Sequence, residues 1–166
     1  MNSYDWTRFT KRININAPLK TIYDAWTTQQ GMESWFLRRS EFKKPDGSLR
    51  KEDEHIEAGD TYYWLWHGWP DSTREQMDIV SANGNDKLQF HFAELCLVTV
   101  TLSEFKNCTI AELTQENIPN DEEHIVKFHL GCMEGWTFYL ANLKSIMEGG
   151  LDLRNKDVEI GGVINS

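Results

Sequence analysis

The sequence predicts an α+β domain in which a curved antiparallel β-sheet wraps a long C-terminal helix, with two short helices after the first strand. Three observations carry that expectation. Residues 37–115 alternate with a period of two, residues 120–148 repeat apolar side chains every three or four positions, and the stretch between Pro18 and Phe36 has room only for short helices.

In TRFTKRINI, residues 7–15, Phe9, Ile13 and Ile15 fall on one side of an extended chain, with Arg8, Thr10, Arg12 and Asn14 on the other: a half-buried strand. Pro18 suits a first helical position. Leu19, Ile22, Tyr23 and Trp26 then form a single apolar stripe, which places a helix over about residues 18–28. Gly31 is expected to break it, and MESWF, residues 32–36, to form a second short helix. A hairpin turning at Pro45-Asp46-Gly47 comes next, then the doubly aromatic strand TYYWLWHGW at 61–69. REQMDIVSA follows, with a tight turn at Asn83-Gly84-Asn85, then KLQFHFA. CLVTVTLSEF and CTIAELTQ, joined near Lys106-Asn107, complete an antiparallel meander.

The helix that should cover this sheet begins after Pro119. Asn120 is placed as its N-cap, with Glu123 closing a capping box and Asp121 and Glu122 at the positive end of the helix dipole. Its apolar face is read as Val126, Leu130, Met133, Trp136 or Thr137, Leu140, Leu143 and Met147, and Gly149-Gly150 gives a left-handed exit. Residues 1–150 are read as one domain. The polar tail 151–166 is left either disordered or as one short added strand.

Composition narrows the function. The 166 residues carry a formal charge of −9, which opposes binding to nucleic-acid phosphates. The sequence holds no apolar run long enough for a membrane span and no signal peptide, so a soluble cytoplasmic protein is expected. Cys96, Cys108 and Cys132 lack ligand spacing and read as reduced thiols. His55, His67, His91, His124 and His129 form no metal-ligand set, and neither a metal nor a cofactor is expected. No catalytic motif is present; Glu94 and Glu112 become acid candidates if they fall inside a cavity. The basic run at 37–51, with Arg38 and Arg39, reads as a solvated hairpin before it reads as an anionic-partner patch.

INAPLKTIYDAWTTQQGMESWF (15–36), AGDTYYW (58–64) and GWTFYLANLKSIMEGGLDLR (135–154) occur in an order and spacing that resembles the activator of heat-shock protein 90 ATPase homologue-like family. That family belongs to the START and birch-pollen-allergen (SRPBCC) superfamily of helix-grip folds. The resemblance implies a cavity between sheet and helix for lipids, polyketides and other apolar molecules, without implying a reaction. Chaperone-activating members carry an additional N-terminal domain. This chain starts almost at its first strand, so a chaperone partner is the second expectation and a superfamily enzyme the third.

If Tyr62 faces inward, Trp64 and Trp66 follow it, whereas Tyr63, Leu65, His67 and Trp69 face out. The expected ligand-binding set is Trp35, Tyr62, Trp64, Trp66, Phe90, Phe92, Met133, Trp136 and Leu140, with the Tyr62 hydroxyl and the indole nitrogens as polar contacts. Gly131 and Gly135 support it, because each glycine inside a helix costs about 1 kcal/mol relative to alanine, and an open space would make use of the missing side chains. The alternative is a fully packed aromatic core. The outward aromatics leave a homodimer open as well, with a second subunit or the tail covering the outer face.

Overall fold

The computed structural model describes residues 4–94 and 96–164. Strand β1 (Phe9–Ile15) leads into helices α1 (Leu19–Thr27) and α2 (Gln29–Trp35). Then come β2 (Arg39–Lys43), β3 (Thr61–Leu65), β4 (Arg74–Ala82), β5 (Lys87–Phe92), β6 (Cys96–Phe105) and β7 (Cys108–Glu116). Together the strands form one antiparallel sheet of order β1-β7-β6-β5-β4-β3-β2. The meander is closed by β1, which returns to pair with the last strand. A continuous helical rod crosses the concave face: a first turn α3 (Glu122–His124), a π-helical stretch (Ile125–Leu130) and α4 (Gly131–Met147). This is the helix-grip α+β fold. Alternation explains the sheet, since Cys96, Val98, Val100 and Leu102 are buried on β6 and meet Ala111 and Leu113 of β7 in one layer.

Several local expectations are corrected. Gly31 does not break the first helix; it lies inside α2. The break is Thr28, whose extended backbone separates α1 from α2 and whose hydroxyl caps α2 by accepting from Gly31 N at 3.1 Å. A Cβ at Gly31 would stand 2.4 Å from the Asp24 carbonyl, so the glycine permits the two helices to pack closely. The N-cap of the long rod is Asp121, which accepts from His124 N, and not Asn120.

A larger correction concerns the apolar face. Val126 and Leu130 are 58% and 42% exposed, whereas Phe128 and His129 are buried. The cause is the π-helical stretch: its wider turns hold extra residue, which rotates the stripe read with a 3.6-residue period away from the sheet. His129 is bonded through both ring nitrogens: the Trp6 carbonyl can only accept, so Nδ1 donates to it at 2.9 Å, and Nε2 lies 3.0 Å from the Tyr4 hydroxyl.

The basic run and the acidic stretch after it neutralise each other. Lys44 pairs with Glu54, and the buried Arg50 reaches Asp60, Glu54 and Glu57. Arg38 pairs with Asp71 and Arg39 with Glu41, so neither guanidinium is free for an anionic partner. The hairpin turn at Pro45-Asp46-Gly47 is present, closed by Lys44 N donating to Ser48 O at 2.8 Å.

Residues 151–164 add neither helix nor strand, but they are anchored. Arg154 is 8% exposed and donates to the carbonyls of Glu33, Ser34 and Leu37, each at 3.0 Å, while Asn142 accepts from Leu153 N. Those carbonyls are the acceptors left over where α2 ends, and the guanidinium fork supplies their donors.

Candidate functional site

The expected inward parity of β3 is observed: Tyr62 and Trp64 are 2% and 0% exposed. Most of the aromatic set, however, fills space. Tyr62 stacks on Trp64 at 3.8 Å, Trp64 meets Phe90 at 5.4 Å, and Trp35 meets Trp26 at 4.6 Å. Trp136 and Leu140 of α4 close this layer, both nearly fully buried. Most polar handles are committed as well. The Tyr62 hydroxyl donates to the His91 carbonyl, Trp35 Nε1 to the Ala25 carbonyl and Trp136 Nε1 to the Gln115 side chain. Burial without a counter-charge pushes the Tyr62 hydroxyl far above the usual phenol range.

Space opens at one end of the layer. Trp66 and Phe92 are partly buried there, and β3 has already ended at Leu65; Met133 is partly buried too but lines neither of the two openings at this end. An apolar pocket of about 190 Å³ lies between Trp66, Phe92, Trp136 and the α4 backbone at Gly131 and Gly135. It adjoins a wider groove of about 700 Å³, with Trp66, Gly131, Gly135 and Tyr139 common to both. Trp69, Arg74, Glu75 and Glu134 complete the groove, and Gly162, Val163 and Ile164 of the tail lie along it. A Cβ built on Gly135 meets nothing within 4 Å, so the missing side chain leaves open space.

One outward assignment changes, and one outward residue is buried. Trp69 turns back toward the groove, because the chain leaves the sheet after Leu65 and Gly68 takes a left-handed backbone with φ 77°. Leu65 is 2% exposed although it points to the outer face. Arg39 and Arg74 stand directly opposite it on the neighbouring strands. Glu94 and Glu112 fall outside the cavity: Glu94 is exposed beside His124 and Lys127, and Glu112 pairs with Arg12. His91 sits at the rim, bonded to Asp78. No group of three or more potential metal ligands occurs among the described residues, and no helix among them is long and apolar enough to cross a membrane.

Glu75 was missed by the sequence reading, although its signal was present. In REQMDIV, period two puts Glu75 on the same face as Met77 and Ile79, and Ile79 is 1% exposed.

Sheet order, crossing helix and groove position together describe one known architecture, and the profile of the activator of Hsp90 ATPase homolog 1-like proteins matches residues 16–148. The chain belongs to this family. Solved relatives share the fold at low identity. A Staphylococcus saprophyticus protein, SSP2350, superposes with a TM-score of 0.68 at 19% identity, covering 89% of this chain and 96% of its own. The Aha1 dimer from Colwellia psychrerythraea gives 0.65 at 19% identity, with 86% and 97% covered. Bacillus halodurans BH1534 gives 0.61 at 20% identity, with 85% and 99% covered. No curated protein sequence matches the chain. Identities this low establish the family's fold and leave function to the site itself.

Proposed function

We propose that this domain binds a small apolar or amphipathic molecule in the groove between α4 and the β3–β4 end of the sheet, and carries out no reaction on it. The observation that supports this most is the pairing of an aromatic wall with a helix row left bare at Gly131 and Gly135. A packed core would gain about 1 kcal/mol by placing alanine at each of these helical positions. The described residues offer no nucleophile and base in hydrogen-bonding array within the groove, which favours binding over turnover.

Native mass spectrometry of freshly purified protein, compared with its denatured mass, is the direct test. A non-covalent adduct of small-molecule mass is the expected result. The partner measurement is Gly135→Leu, whose side chain enters the open space and should abolish the adduct while holding or raising thermal stability by up to about 1 kcal/mol. Absence of any adduct, together with failure to take up apolar probes, overturns the reading; so does an adduct retained undiminished in Gly135→Leu.

A further inference from the structure

An apolar ligand alone leaves the carboxyl of Glu75 without a use. Glu75 stands opposite Trp64 in the β3–β4 register, and that places its side chain on the concave face. It lines the groove. One oxygen, Oε1, accepts the Ala93 N–H at 3.2 Å, and Ala93 is itself held in a left-handed backbone at φ 51°. No lysine or arginine forms an ion pair with Glu75 among the described residues.

The charges around this carboxyl can be placed one by one. Burial raises its pKa most, the Ala93 N–H opposes that rise, the neighbouring Glu94 raises it further, and Lys127 of the π-helical stretch lowers it. Arg74, next to it on β4, lines the same groove but makes no ion pair with Glu75. Glu134 of α4 adds a second carboxyl to the lining. The groove therefore presents an under-compensated carboxylate beside the rings of Trp66, Trp69 and Tyr139. Carboxylate and aromatic ring faces attract the same kind of group, a cation with an apolar body.

Building on the groove-binding reading above, we propose that the ligand is an organic amine, its protonated nitrogen held by Glu75 and its apolar body lying against Trp66 and Tyr139. An anionic amphiphile would instead have to keep its acid group at Arg74, away from the two carboxyls.

Three naphthalene probes of similar shape separate these outcomes by isothermal titration calorimetry at pH 7.5: 1-naphthylmethylamine, neutral 1-naphthylmethanol and anionic 1-naphthoate. The amine is expected to bind about tenfold or more tighter than the alcohol. Glu75→Gln keeps an oxygen for the Ala93 N–H, and should erase that difference. In the unaltered protein the amine's advantage should shrink as the pH is lowered and Glu75 takes up its proton. Equal binding of amine and alcohol, or strongest binding of naphthoate, overturns the amine assignment and leaves groove binding standing. Binding of none of the three overturns the groove reading itself.

Discussion

The two ends of the helix–sheet layer are built from the same materials and come out differently. At one end Trp26, Trp35, Tyr62, Trp64 and Phe90 interlock beneath Leu140 and Leu143, all of them 3% exposed or less. At the other, Trp66 and Phe92 face the same helical rod and remain half-covered. Phe90 at the packed end and Phe92 at the open end both alternate inward on β5, so strand parity does not make the difference. The helix does. Its row at spacing four runs Gly131, Gly135, Tyr139, and the first two have no side chain to lower into the sheet. A cavity in this fold is thus made by omission on one helical row.

That contrast can be broken at its strongest point first. Trp64→Ala removes a fully buried ring and should cost about 4 kcal/mol of stability, read as a lowered urea midpoint. Trp66→Ala, at the open end, should cost no more than about 1–2 kcal/mol, since the ring is only partly buried, yet should eliminate binding of apolar probes. Equal stability losses at the two positions would mean that the open end is packed in solution. A smaller effect is expected from Arg154→Ala. Removing the fork leaves the carbonyls of Glu33, Ser34 and Leu37 without their donors and should cost about 2 kcal/mol. It should also free Gly162–Ile164 from the groove, so that probes enter faster in stopped-flow fluorescence while their dissociation rate changes less. Unchanged entry would show that the tail does not obstruct the groove.

The sequence made the fold legible and the site only partly so, for identifiable reasons. Strand order and helix cover follow from hydrophobic periods, and those are local properties of the chain. Period two ties Trp64 and Trp66 to Tyr62, but both parities of residues 61–69 are aromatic, so it leaves the inward face open and cannot say whether a ring fills space or lines it. That depends on what the opposite element contributes. The π-helical stretch defeated the stripe reading at Val126 and Leu130, because one helical period was assumed throughout. Trp69 was missed as a groove residue since its direction is set by the left-handed Gly68 and not by strand parity. Arg154 gave no periodic signal at all; its role exists only once α2 presents three unfilled carbonyls.

The tail's position also predicts the smallest effect, a pH dependence located at one histidine. His67 lies just past the end of β3, and its pKa is pushed down to about 4, first by burial and then by the nearby Arg154 and Lys156 of the tail. Its ordinary value is 6.5, so the unfolded chain takes up this proton before the folded one does. Stability should therefore be unaffected by His67 above that pH, fall as the pH drops from 6.5 toward 4, and level off below. Other groups titrate across the same window, and the informative quantity is the difference between the protein and His67→Asn, measured as urea midpoints at pH 7.5, 5.5 and 4. The protein should lose more stability on acidification than the variant. In the Arg154→Ala background this difference should shrink, because one of the cations that disfavour the histidine's proton is gone. If it persists at full size without Arg154, burial by the β3–β4 connection alone depresses the histidine, and the tail stands further from the open end than its contacts with the groove imply.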